Sequence, residues 1–396
     1  MKDLREIEIS IDWQFVLLLT IIAFIGRLLY IFTLESGLFY FDDSLQWNQM
    51  ALNIIAGKGV IIDTAPTAYR MPLYSFFLAG IYKVFGAGNL FAVRVIQAVI
   101  SALTCFFVYL ITITVFAEDE HAHRVGRIAA IISAFYPFFV YYSGAVLTET
   151  LYIFLLCLFM WLLITRKYAW ASLVFGGVIM CRAEIAGFLI FILVGLFVLM
   201  KARDALGTFV VVLALVCAVL SPWAARNYMA FGRFVPLSTM GGWTFWEGNN
   251  PRNTTGGPCS YFPDTTGMDE VQRDKYLRNE TLKVIRQDPG RFALLCLSKF
   301  KRFWNIGLNT EDPRYFSKRN NMISMLSFGP VLLLFIPGLM LTYWNRKNLM
   351  FIYYLILYTM LVNLAFVSSL RYRLPIEPYL IIFASYTISS VYRGKK

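Results

Sequence analysis

The chain has 396 residues, of which 58% are hydrophobic and 15% charged, and its formal net charge is +12. Its mean hydropathy is +0.61; ordinary soluble domains carry about a quarter charged residues, so this composition excludes one of them. The basic surplus gathers in short turns between apolar runs, as at a membrane surface, and no nucleic-acid-binding motif accompanies it.

The N-terminal stretch is mixed in charge, and the run from Trp13 to Leu34 follows it. About 20 residues cross a bilayer, so this run suffices. It is too long for a signal-peptide core and no small-residue cleavage site follows, so it reads as a retained first span. Further spans are predicted over 91–116, 126–142, 147–164, 168–181, 184–200, 207–223, 322–344, 349–367 and 375–392, about ten in all. The shortest of them, near Ile179 and Ile185, reads as a bent hairpin dipping in and out of the bilayer. The expected fold class is an all-α polytopic membrane protein.

The turns "HAHRVGR", "TRKY", "KARDA", "NRKN" and the terminal "RGKK" carry Lys or Arg and alternate along the spans. By the positive-inside rule they are cytoplasmic, as are both termini. The polar segments 35–90 and 225–321 then face outward, into the periplasm if the membrane is a bacterial inner membrane. The chain divides into a transmembrane module with its first external loop (1–224), an external region (225–321) and C-terminal spans (322–396). Within the first external loop, "SLQWNQMALNIIAG" and "PLYSFFLAGIYKVFG" read as helices lying along the membrane surface.

Six cysteines include no C-x-x-C pair, and there are only two histidines. A Cys/His zinc site and a structural disulfide are not expected.

Charged residues in such surroundings are the candidates for chemistry. Asp42 and Asp43 stand where the first span leaves the bilayer. A partly desolvated carboxylate there gains basicity, which suits a general base, although solvated loop acids would look the same. Arg70, preceded by Tyr69 in "TAYRMPLY", is either a phosphate clamp or a snorkelling cation. Glu149 opens a span, where an acid also complements the helix dipole. Arg27, Arg182 and Glu184 are ionisable groups inside or between spans, and Arg182 could pair with Glu184 or meet substrate. Arg226 and Asn227 follow the seventh span. The loop "GGWTFWEGNNP", containing Asn249, mixes glycines with aromatics and could hold a sugar. Arg371 and Arg373 precede the last span on the outer side, against the charge bias, and suit a lipid phosphate. No G-x-G-x-x-G or P-loop motif is present, so an enzyme of this kind must draw its activated group from the membrane itself.

The ordered set of Asp43 with Ser44 and Trp47, then "AYRMPLY", "LTETLY", "PWAARNYMAFGRFVPLSTMGG…GNNP" and "RYRLPIEPY" resembles the GT-C superfamily of membrane glycosyltransferases. It is most similar to bacterial relatives of the protein O-mannosyltransferases and of the aminoarabinose transferase acting on lipid A, over nearly the whole chain. The resemblance implies an outward-facing site, a polyprenyl-phosphate sugar donor and inverting transfer with one acid as base. It matches Asp43 to the catalytic acid, Arg70 to the basic residue of the first loop, Glu149 to the second-loop acid, and Arg371 with Arg373 to the pair near the donor phosphate. The family often has a second acid where this chain has Ser44, so Asp42 could take its place. The two adjacent acids could also hold Mg²⁺ or Mn²⁺. The expected partners are membrane lipid, the lipid-linked sugar and an envelope lipid, glycan or protein acceptor. A glycolipid flippase, or a ligase using pyrophosphate-linked glycans, would share the many spans and internal charges. A flippase, however, calls for charges at the bilayer midplane rather than at one face.

Overall fold

The computed structural model describes residues 10–35, 42–309, 317–345 and 347–391. The chain is mostly helical, and its only β-structure among the described residues is a two-stranded antiparallel ribbon, β1 (Ile61–Ile62) with β2 (Ala65–Pro66). Every predicted span falls on a helix. They are α1 (Trp13–Phe32), α4 (Leu90–Val115), α5 (Ala122–Phe135) with α6 (Pro137–Gly144), α7 (Glu149–Ile164), α8 (Tyr168–Cys181), α9 (Leu189–Leu199), α10 (Ala202–Phe231), α14 (Lys318–Leu341), α15 (Met350–Ala365) and α17 (Glu377–Val391). The two segments expected along the membrane surface form α2 (Asp42–Ile55) and α3 (Leu73–Phe85), which pack on each other. The outer region adds α11 (Gly241–Asn249), α12 (Glu270–Gln287) and α13 (Pro289–Phe303), and the short α16 (Leu370–Arg373) leads into α17.

The expected count of about ten crossings does not follow from helix length. Five described helices are long and apolar enough to cross, or six if α5 and α6, bent by 46° at Pro137, form one span. The 16-residue helices α7 and α15, at 1.5 Å per residue, reach roughly 24 Å, short of the ~30 Å hydrocarbon layer. The expected bent hairpin is a break: α8 ends at Cys181, Arg182 is extended, and a 3₁₀ segment (Ala183–Phe188) leads into α9.

Burial separates the centre from the rim. In the apolar windows of α4 and of α16 with α17, 72% and 83% of residues are inside the protein, against 28% in α1 and 17% in α10. The two rim helices expose Leu17, Leu29 and Val210, the surface that hydrocarbon covers in a membrane protein. Within the span α1, Arg27 is fully buried but satisfied: it donates to Ser101 Oγ (2.7 Å) and to the carbonyls of Ala23 and Ala134 (both 2.9 Å). Its role is to bind α1 to α4 and α5.

Candidate active site

Five segments of the sequence meet at one cavity of about 460 Å³. Asp43 sits in the first turn of α2, where the helix dipole favours a carboxylate. Arg70 stands in the loop before α3, and its place is built from outside. Glu270 accepts from Thr67 Oγ1 and Ala68 N (both 2.8 Å), while Arg226 donates to the carbonyl of Thr67 (2.8 Å) and to that of Val60. Glu149 opens α7, Arg182 occupies the α8 break, and Arg371 lies on α16.

These side chains form a continuous ladder. Arg70 donates to Asp43 Oδ1 at 2.5 Å and Arg371 to Asp43 Oδ2 at 2.9 Å. Arg371 also binds Glu149, which accepts from Arg182 at 3.0 Å. Arg70 is held further by Gln46 Oε1 (2.7 Å) and lies over the ring of Trp47 (5.3 Å). Glu149 is fully buried, and its second oxygen has no hydrogen-bond partner among the described residues. Glu184, in the 3₁₀ segment, also lines the cavity and pairs with Arg182 at 3.8 Å, so three guanidiniums face three carboxylates there. A carboxylate desolvated this far stays ionised only beside cations. Burial pushes Asp43 up, but the Arg371 and Arg70 guanidiniums outweigh it and hold its carboxyl below the usual value. Burial drives the Tyr69 hydroxyl up to about 12, so it is a donor at neutral pH. Helix α15 adds Tyr358, Thr359, Val362, Asn363 and Phe366 to the lining. The cavity lining thus combines charged groups with apolar surface, as an amphiphile with a charged head requires.

The structure brings together Asp43, Tyr69, Arg70, Glu149, Arg182 and Arg371. The Asp42 side chain lies outside the described residues. Four other candidates are engaged elsewhere. Arg226 pins the Arg70 loop. Asn227, buried, donates to the carbonyl of Val235 (2.9 Å) and so shapes the turn after α10. Asn249 accepts from Lys299 Nζ (2.7 Å) and donates to the carbonyl of Ala365 (2.9 Å), joining α11, α13 and α15. Arg373 is fully buried against Glu377 (2.8 Å) and the carbonyls of Phe303 (2.9 Å) and Asn305 (2.7 Å). Arg371 and Arg373 are two positions apart on a helical turn, which places them about 200° apart around it.

One acid escaped the sequence reading. Glu247, half-buried on α11, is pushed up to about 7, first by burial and then by the charge of Asp43. It is the lone acid of "GGWTFWEGNNP", and that was the available signal. Two glycines let α11 come this close: a Cβ at Gly242 would meet the Asp274 carbonyl at 2.0 Å, and one at Gly248 the Phe366 carbonyl at 2.0 Å. A divalent cation fits this geometry poorly. Both Asp43 oxygens are taken by arginines, and no group of three or more His, Cys, Asp or Glu side chains gathers among the described residues.

The model of the dolichyl-phosphate-mannose-protein mannosyltransferase family matches residues 66–225. No curated protein gave a significant match. Among solved structures, the archaeal oligosaccharyltransferase AglB from Archaeoglobus fulgidus, in complex with an inhibitory peptide and a dolichol-phosphate, matches with a TM-score of 0.61 and 14% identity over 96% of this chain. The chain spans half the length of AglB (50%). ArnT from Cupriavidus metallidurans bound to undecaprenyl phosphate matches with a TM-score of 0.43 and 11% identity, over 96% of this chain and 78% of ArnT. The chain therefore has the fold of AglB, and its residues 66–225 are similar in sequence to the dolichyl-phosphate-mannose-protein mannosyltransferase family.

Proposed function

We propose that this chain transfers a sugar from a polyprenyl phosphate to a hydroxyl of an envelope acceptor, on the outer face of a bacterial inner membrane, with both termini cytoplasmic. The observation that carries the reading is the ladder of Arg70, Asp43, Arg371, Glu149 and Arg182 beside a cavity whose lining is charged in part and apolar in part. The Arg70 and Arg371 guanidiniums in its lining suit a lipid phosphate, and the apolar part of the lining, Val362 and Phe366 among it, suits the first isoprene units.

The donor phosphate competes with Asp43 for Arg371 and Arg70. As these cations turn to the phosphate, Asp43 loses the partners that depress its basicity, so donor binding readies the base. Asp43 then takes the proton of the acceptor hydroxyl. The oxygen attacks the anomeric carbon opposite the phosphate, and the C–O bond to phosphate breaks with its electron pair. Arg371 and Arg70 stabilise the departing charge, which makes a protonating acid unnecessary. Glu149 and Arg182 hold Arg371 in place. Arg373, committed to Glu377, has no part in the step.

Comparing envelope glycolipids of a deletion strain, its parent and a strain carrying Asp43→Asn by mass spectrometry tests this. One glycosylated species should vanish in both mutant strains, and its missing mass names the sugar. An unchanged glycolipid profile in the deletion strain would refute the proposal.

A further inference from the structure

Arg371 holds two carboxylates at once, Asp43 and Glu149, yet it sits on a helix of only four residues. A single turn fixes several dihedrals for few hydrogen bonds and does not hold itself. The N-cap of α16, Ser369, makes no side-chain cap bond either. The place of the guanidinium therefore depends on what holds the chain on each side of it. On the C-terminal side, Arg373 donates to the carbonyls of Phe303 (2.9 Å) and Asn305 (2.7 Å), at the end of α13. On the N-terminal side, the chain leaves α15 at Ala365 and enters α16 at Leu370, and the fully buried Ser368 lies between.

Ser368 is fastened through all three of its polar groups. Its N–H donates to the carbonyl of Gly256 (3.1 Å), and its Oγ donates to the carbonyl of Lys299 (3.1 Å). Its own carbonyl accepts from Arg302 Nε (3.5 Å). Every one of these partners belongs to α13 or to the loop after α11, and none to α15 or α16. Lys299 Nζ also donates to the carbonyls of Leu364 (3.1 Å) and Ala365 (3.4 Å), which close the last turn of α15. Gly256 is suited to its part. Its φ of +74° favours glycine, and a Cβ there would meet Lys299 Cγ at 2.5 Å. Its N–H donates to Asn253 Oδ1 (2.8 Å), and Arg291 of α13 donates to the carbonyl of Asn253 (2.7 Å), so the loop is itself anchored on α13. Phe366 and Val367, just before Ser368, line the cavity.

We propose that Ser368 is a positioning residue for Arg371: α13 and the loop after α11 grip it, and so fix the guanidinium that receives the donor phosphate. The inference rests on the reading of Arg371 as a phosphate ligand given above. Removing the Ser368 hydroxyl releases one of three attachments and strands no partner, because the Lys299 carbonyl lies within α13, whose own ladder satisfies it.

The test uses the full chain in lipid nanodiscs with undecaprenyl phosphate as the probe, and reads Kd and melting temperature for each variant. Ser368→Ala should weaken binding about fivefold, the loss expected for one neutral hydrogen bond. Gly256→Ala, which displaces the partner of the Ser368 N–H, should weaken it by at least as much. Combined with Arg371→Met, Ser368→Ala should change Kd no further, because its influence passes through that arginine. Ser385→Ala, which removes an equally buried hydroxyl bonded to the carbonyl of Ile381 (2.7 Å) within α17, should keep the wild-type Kd and so controls for a general loss of stability. A Ser368→Ala loss of the same size with and without Arg371 would make the role merely structural and overturn the proposal, while leaving phosphate binding standing. Wild-type Kd in both Ser368→Ala and Gly256→Ala would overturn it as well. A wild type that binds no undecaprenyl phosphate overturns the phosphate reading of Arg371, and the positioning role with it.

Discussion

Replacing Arg371 by Met removes the one cation shared by both acids of the ladder. Breaking a buried pair by deleting one partner costs about 3–5 kcal/mol. Here each acid keeps an arginine, Arg70 at 2.5 Å from Asp43 and Arg182 at 3.0 Å from Glu149, so the cost should fall near the lower figure, about 3 kcal/mol. Glu149 is fully buried and Asp43 is not, so most of that cost arises at Glu149. Adding Glu149→Gln to Arg371→Met should therefore recover part of the lost melting temperature in detergent. Donor affinity should behave differently. Loss of charge-assisted hydrogen bonds to the phosphate costs about 2–3 kcal/mol, or about 30- to 150-fold in Kd for undecaprenyl phosphate, and the second substitution should not restore it. A single variant that melts like the wild type and binds the lipid equally well would show that the ladder neither holds the fold nor receives the phosphate.

Asp43→Asn should reduce transfer by about 100-fold or more while leaving undecaprenyl phosphate binding intact, because the lost group acts on the acceptor; equal turnover in purified protein would remove Asp43 from the chemistry. Arg226→Ala should slow transfer indirectly by loosening the Arg70 loop: proteolysis between β2 and α3 should quicken, and unchanged protection would contradict that link. Arg373→Met should cost about 3–5 kcal/mol by stranding buried Glu377, seen as a lower melting temperature, and the added Glu377→Gln should relieve it with donor binding unaffected throughout. Stability should also depend on pH through Glu247. Its folded value of about 7 lies above its ordinary 4.5, so the folded state binds more protons and loses stability as pH rises between those values. After solvent screening the loss is about 1 kcal/mol. Glu247→Gln should thus melt relatively higher at pH 8 than at pH 5, and a pH-independent difference would refute the assignment.

The helices were legible because apolar runs of this length have few alternatives, and each predicted span falls on one. Their number as crossings was not, because hydropathy does not show where a helix stops against a polar cavity, as α7 does at Glu149 and α8 at Arg182. The ladder residues drew notice as charges in apolar surroundings. Arg226 and Arg373 carry the same signal, yet one braces a loop and the other joins α16 and α17 to the segment after α13. What separates them from Arg70 and Arg371 is direction around a turn. Neighbouring basic residues in "RYR" look like a pair until the helical twist sends them to opposite sides. Glu247 was hidden for a related reason: its relation to Asp43 arises only because Gly242 and Gly248 let α11 wedge between α12 and the segment after α15.

An electron cryomicroscopy structure of the full chain with undecaprenyl phosphate tests the central claim most directly. The account predicts the phosphate within hydrogen-bonding distance of Arg371 and Arg70, with the isoprenoid leaving along the α15 wall. A phosphate bound away from these arginines, with the Asp43 ion pairs undisturbed, would contradict it.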